Sequence, residues 1–337
     1  MGLLDWVFGD AKPRKVPPRD DALARAIIDR VVGATDKRLR ALGGYQKTLR
    51  DPALVTLQHV RRIASDIPGP VEVSAHAWTV DPMIRALFAK PTDVPAVFSH
   101  NAEVRECFAR SMGSYCLAML SLKHVERQVF APAREGDATH DAVARTTVSF
   151  GSPRVFAVGT RQTAVRVEIA KRCVDHLALR ALARMTADQE HRKELEQERA
   201  LLKVRLQLAE QARTGLTDIA APAAAMPMQR AALAAALEAN AKALEAFAPT
   251  GLMSRFLDIL VEVLADPGVH LRLEACTVPL DMLNFRVPDD ETAAVVLKLQ
   301  ELWLPGRPPL AAMVARFPRA ELFPVEDALA QAERLLA

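Results

Sequence analysis

The sequence lacks the glycine-rich loops that cradle nucleotide phosphates. Neither G-x-x-x-x-G-K-[ST] nor G-x-G-x-x-G occurs, and the 14 glycines are scattered along 337 residues, which excludes a nucleotide site of either familiar kind. There is no G-x-S-x-G elbow to expose a serine nucleophile and no H-E-x-x-H helix to hold zinc. The paired E-x-x-H pattern of di-iron bundles is missing too. Cysteine is confined to Cys107, Cys116, Cys173 and Cys276, with no C-x-x-C pair. A chain of this length needs no disulfides to hold a core, so these are expected to be free thiols in a reducing cytoplasm.

Charge of one sign is also lacking. Lys plus Arg number 44 against 41 for Asp plus Glu, a formal +3, so no global field points to nucleic acid. At 5%, aromatic residues are too few to stack bases, and no nucleic-acid partner is expected. The longest apolar run near the C-terminal third, Leu252 to Ala265, is interrupted by Arg255, Asp258 and Glu262. That falls short of the roughly 20 residues a bilayer span requires.

Half the residues are hydrophobic and a quarter charged, ordinary composition for a folded chain. Abundant Ala, Leu, Val and Arg favour helices packed through aliphatic side chains. The fold class expected is mainly α with minor β: a helical N-terminal body with a β-hairpin, a long antiparallel helical hairpin and a small α+β C-terminal module. Four segments follow along the chain.

Residues 1–19 place Leu3, Leu4, Trp6, Val7 and Phe8 ahead of a basic, proline-rich stretch from Lys12 to Arg19. An export signal has the opposite order and a longer apolar stretch. The segment reads as a docking peptide that packs on this fold or on a partner, with Leu3, Leu4, Trp6 and Phe8 as anchors. The competing reading is peripheral membrane contact through residues 1–9.

Residues 20–185 form the body. Asp20 or Asp21 caps a helix carrying Leu23, Ile27, Val31 and Leu42, which Gly43-Gly44 ends. Asp51-Pro52 starts a second helix, Asp81-Pro82 a short one through Phe88, and Ser99 caps another through Phe108. Tyr115 to Phe130 fits helix and strand about equally. Thr146–Phe150 and Val155–Val158 flank Gly151-Ser152-Pro153, so a β-hairpin is expected near 146–158.

Residues 161–213 read as helix, with a candidate break near Thr186. Within 186–250 the spacing becomes specific. Leu195, Arg199, Leu202, Leu206 and Ala209 alternate four and three, as do Leu233, Leu237, Asn240, Leu244 and Phe247, which is the a/d repeat of a coiled coil. Folding back about Thr214–Ala225 sets Leu202 against Leu237, Leu206 against Leu233, Leu195 against Leu244, Arg199 against Asn240 and Arg192 against Phe247. The tip exposes Leu216 and Ile219, candidate anchors for a protein partner. Residues 251–337 begin with a helix to Ala265. Strands are expected at Leu271–Cys276, Val296–Gln300 and Met313–Phe317, and a helix from Val325 to Leu336.

His100, Glu103 and Cys107 share a helix face, with His124 beyond. These four are the candidate metal ligands, although their spacing matches no zinc-finger pattern and buried cysteines are most often structural. With no constellation that specifies a reaction, the reading is a non-enzymatic cytoplasmic adaptor or scaffold, without cofactor, that contacts protein through the helical hairpin and has homo-oligomerisation open to it. The alternative is an enzyme or a small-molecule or metal sensor, with a pocket between the body and the C-terminal module.

Overall fold

A computed structural model describes residues 17–135, 138–211, 225–246, 251–281, 283–287 and 295–324. The order of elements is α1 (Pro18–Ala34), α2 (Tyr45–Asp66), β1 (Val71–Glu72), α3 (Ala75–Val80), α4 (Pro82–Leu87), α5 (Asp93–Ser99), α6 (Ala102–Arg110), β2 (Tyr115–Glu135), β3 (Ala138–Gly159), α7 (Gln162–Gln211), α8 (Ala225–Ala246), α9 (Gly251–Ala265), β4 (Arg272–Leu280), β5 (Val295–Trp303) and β6 (Leu310–Pro318). It is an α+β fold with one six-stranded sheet. Among the described residues, no helix is long and apolar enough to cross a membrane.

The chain divides into two compact units, Met1–Leu57 with Asp175–Asp266, and Gln58–Val174 with Pro267–Ala337. The first unit is helical. Ile27, Ile28 and Val31 of α1, Leu177 and Ala181 of α7, and Ile259, Leu260 and Val263 of α9 are all buried. Polar ties fix these helices: Arg30 chelates Asp175, with Nη2 donating over 2.7 Å, and buried Thr56 donates its hydroxyl to the Leu264 carbonyl over 2.7 Å.

The helical hairpin, α8 with the part of α7 after Val174, belongs to this unit and carries the leucine seam that the spacing predicts. Leu202 and Asn240 are buried, and Leu195, Leu206, Leu233, Leu237 and Leu244 are half-buried between exposed neighbours. Asn240 donates its side-chain amide to the Leu195 carbonyl at 3.1 Å and to Glu198 Oε2 at 2.9 Å, which fixes the antiparallel alignment. The expected pairing of Arg199 with Asn240 is corrected: Arg199 is exposed, and Asn240 reaches the turn just before it. Arg192 bonds Glu196 on its own helix at 2.9 Å, the cheaper contact for an exposed side chain, and Phe247 lies outside the described residues. Nor does α7 break at Thr186, whose hydroxyl donates to the Leu182 carbonyl and stays within the helix.

In the second unit the strand order is β3-β2-β6-β5-β4, all antiparallel, with β1 added in parallel to β6. The segment Asn284–Val287 bridges both outer strands: Phe285 opposes Thr147 of β3, and Arg286 opposes Leu280 of β4. Helices α3 to α6 cover one face. There Phe98 stacks on Phe317 with ring centres 4.5 Å apart, among Ile84, Leu87, Val104, Leu120 and Met313. At Gly69, φ is +121°, and a Cβ would lie 2.3 Å from the Val314 carbonyl oxygen, so only glycine permits this approach to β6.

Several local expectations are overturned. The region that fits helix and strand equally is strand β2, paired along β3. Gly151-Ser152-Pro153 is not a turn but an extra residue inside β3. Ser121 and Lys123 of β2, two apart, oppose Arg154 and Gly151, three apart, and Ser152 takes φ +50°. A bulge accommodates a proline and a positive φ within a strand as readily as a turn does. Helix α2 starts at Tyr45 and runs through Pro52, and α1 ends at Ala34, before a short 3-10 turn over Lys37–Ala41. Asn101, not Ser99, caps α6 through the Val104 amide, while buried Ser99 accepts from the Phe323 amide. The expected helix at 325–336 lies outside the described residues.

Candidate functional site

Strand parity decides which side chains meet beneath the helices. Leu122 opposes Ala311, Ala311 opposes Glu301, and Cys276 opposes Leu299. Because side chains alternate between faces, His124, Ala311, Glu301 and Cys276 all lie on one face. It is the face that buries Val278, Leu280, Leu297 and Leu299. β5 and β6 pair only at Glu301–Ala311 and Leu302–Leu310, so the polar group sits where the two strands join. Ala311, with its single methyl, lies between His124 and Glu301 in the strand order, and the two side chains meet across it.

His124 Nδ1 and Glu301 Oε1 are in hydrogen-bond contact. Glu301 is 3% exposed and His124 7%, so the contact is dry. The Cys276 thiol faces the same carboxylate, and one donor atom from each of His124, Cys276 and Glu301 lies within 4.8 Å of the others. His124 Nε2 is buried and makes no hydrogen bond, although Glu126 Oε1 stands 3.5 Å away. Arg286 neutralises Glu126 at 2.6 Å. Phe150, opposite His124 on β3, stacks on the imidazole at 5.2 Å. The same ring lines a groove of about 580 Å³ shared with Trp78, Arg85, Leu280 and Asp281.

Chemically, this cluster can hold a cation or a shared proton. A thiolate nucleophile is disfavoured: burial first, then the Glu301 charge, push the Cys276 thiol above its ordinary value, opposed by Arg286. The other thiols are protonated as well. Burial raises Cys107 and takes Cys116 and Cys173 to about 12, and all four cysteines are free.

The four ligands suggested by sequence do not converge. His100 is exposed, with Nδ1 bonded to the Ala96 carbonyl at 2.6 Å. Glu103 pairs with Arg172 at 2.7 Å, and both line a shallow groove with His100 and Arg154. Cys107 packs against the core of α5, α6 and the sheet. Only His124 enters the polar cluster, with Glu301 and Cys276 as partners that no sequence spacing suggests. One signal was available: along Leu297, Leu299 and Glu301, the inward parity of β5 ends in a carboxylate.

A second candidate lies on the hairpin. Leu201, Val204 and Leu208 of α7 are 60, 52 and 59% exposed. Their spacing puts them on one stripe, turned well away from the seam of Leu195, Leu202 and Leu206. The expected anchors Leu216, Ile219, Leu3, Leu4, Trp6 and Phe8 lie outside the described residues.

Comparison with protein-family models, curated proteins and solved structures returns no match.

Proposed function

We propose that the chain is a non-enzymatic scaffold in a reducing cytoplasm that associates through its helical hairpin, and that the occupant of the open stripe is the same stripe of a second copy. The observation that carries this reading is the exposure of Leu201, Val204 and Leu208 at helical spacing. They repeat the three-and-four rhythm of the seam that α8 already covers, so a helix is the shape that fits. A copy of the same helix is its own complement: an antiparallel two-fold sets Leu201 against Leu208 and brings the two Val204 side chains together. Six large side chains across a two-fold, each already about half covered, contribute roughly half of the 1.5–3 kcal/mol that full burial gives, against an association cost of roughly 4–15 kcal/mol. Self-association is therefore concentration-dependent rather than obligate.

Analytical ultracentrifugation of the purified full chain tests this. Wild type is expected to move from monomer to dimer with concentration, and the double substitution Leu201→Glu with Leu208→Glu to weaken the dimer at least about 10-fold at unchanged helicity. A wild type that stays monomeric at the highest soluble concentration, or a dimer indifferent to the substitutions, would falsify the proposal.

A further inference from the structure

We propose that His124, Cys276 and Glu301 form a site for one divalent cation of the zinc class. The donor set is one imidazole nitrogen, one sulfur and one carboxylate oxygen, the borderline-soft combination that suits zinc or cobalt and not calcium or magnesium. The three come from separate strands, β2, β4 and β5, and the sheet brings them within 4.8 Å of one another. Tetrahedral zinc places its donors roughly 3.3–3.8 Å apart, given bond lengths of about 2.0–2.3 Å. Binding therefore parts the His124–Glu301 contact and draws the sulfur in, movements of the order of 1 Å within the reach of Cys276 and Glu301 side-chain torsions.

Two features single this cluster out from an ordinary buried hydrogen bond. First, positive charge is short. Arg286 answers Glu126, but among the described residues Glu301, more deeply buried, has only the His124 ring and the Cys276 thiol beside it. A buried carboxylate is costly unless it is paired or coordinates a metal. Second, both ring nitrogens face carboxylates, Nδ1 toward Glu301 and Nε2 toward Glu126 at 3.5 Å, and Nε2 is buried without a hydrogen bond. A bound cation answers both. It neutralises Glu301 and takes the imidazole and sulfur as ligands, and the Cys276 thiol proton leaves to solvent as the metal–sulfur bond forms. With the cation on the Nδ1 side, Nε2 carries the ring proton toward Glu126, an outer partner that orients the imidazole. The site is in the sheet and is independent of how the hairpin associates.

The test uses purified full-length chain equilibrated with Zn²⁺, desalted and analysed for metal, and in parallel titrated with Co²⁺ while absorption is recorded. One equivalent of zinc per chain is expected, with a sulfur-to-cobalt charge-transfer band. The band should vanish in Cys276→Ser and survive in Cys107→Ser. Glu301→Gln should weaken binding by more than the roughly 10–100-fold that loss of an outer partner costs. Should Cys276→Ser fail to fold, alkylation of the wild type read by peptide mass mapping decides instead, since bound zinc must slow labelling of Cys276 and leave Cys107 unchanged. Sub-stoichiometric zinc after desalting, a cobalt band indifferent to Cys276, or Cys276 labelling unaffected by zinc would each overturn the site.

Discussion

On the hairpin, the polar residue buried in the aliphatic seam is Asn240. In the sheet, the polar residues buried in the aliphatic face are His124 and Glu301. Asn240 is neutral, and its amide nitrogen finds both a carbonyl and a carboxylate on α7, while the surrounding seam is only half-buried. Glu301 carries an acid into a closed core, where among the described residues the His124 ring touches it and the Cys276 thiol faces it. A two-helix seam near water tolerates a polar residue at small cost and uses it to fix register. A covered sheet tolerates an acid only with a partner that balances its charge. The polar residue of the hairpin is thus an alignment device, and that of the sheet a binding device.

The sharpest way to break this contrast is to compare cavities in the two regions. Phe317 is fully buried and stacked on Phe98, so Phe317→Ala should cost about 3–5 kcal/mol. Leu202 is buried in a thinner, two-helix seam that can collapse around a vacancy, and Leu202→Ala should cost about 2 kcal/mol. Denaturant melts of both variants measure the difference. Equal losses would mean that the hairpin is packed as deeply as the sheet.

How legible these regions were in the sequence follows the same contrast. The hairpin leucines and α9 were readable because one-sided burial leaves a period of 3.6, and Gly251 and Asp266-Pro267 mark the ends of α9. β5 was readable because Leu297 and Leu299 alternate with exposed Val296 and Lys298. β2 was not, because Cys116 to Leu122 are all buried, and a strand covered on both faces loses its alternation. The bulge at Ser152 was hidden for a related reason, since its residues are also those of a turn. His124 stood out as a titratable group, but Cys276 and Glu301 lie far away in the chain. Only the registers of β2 with β6, β6 with β5 and β5 with β4 bring the three together.

Acid should separate the regions next. Burial alone would raise the Asp281 carboxyl. The Phe285 and Leu283 amides and the Arg145 guanidinium outweigh it and hold the group below the ordinary carboxylate range. A carboxyl depressed in the folded state adds stability above its unfolded pKa and loses it as pH falls through the depressed value. Asp281 anchors the segment that bridges β3 and β4, whereas the hairpin relies on exposed pairs such as Arg192–Glu196 and Glu238–Lys242, worth roughly 0.3–0.5 kcal/mol each. Acidification below the ordinary carboxylate range should loosen the sheet edge first, visible as faster amide exchange at Phe285 and Arg286 than along α7. Asp281→Asn should cost about 1–2 kcal/mol at neutral pH and flatten that acid response. An identical acid limb in the variant would assign the effect to other carboxylates.

The smallest effect in stability is expected at Asn240, and it sharpens the contrast most. Asn240→Leu removes an amide whose oxygen has no hydrogen-bond partner and completes an aliphatic seam with Leu237 and Leu244. Stability should change by less than about 1 kcal/mol and in the favourable direction, since an apolar replacement of a buried polar group is often neutral or stabilising. Specificity should move the other way. Without the bonds to the Leu195 carbonyl and Glu198, the leucine ladder fits equally well after a slip of one heptad, because the a/d repeat is the same seven residues later. A disulfide engineered across the Leu202 and Leu237 level reads this directly: it should close in a single register in the parent and only partially in Asn240→Leu. Complete closure in both would show that the connection between α7 and α8, and not the polar contact, sets the alignment.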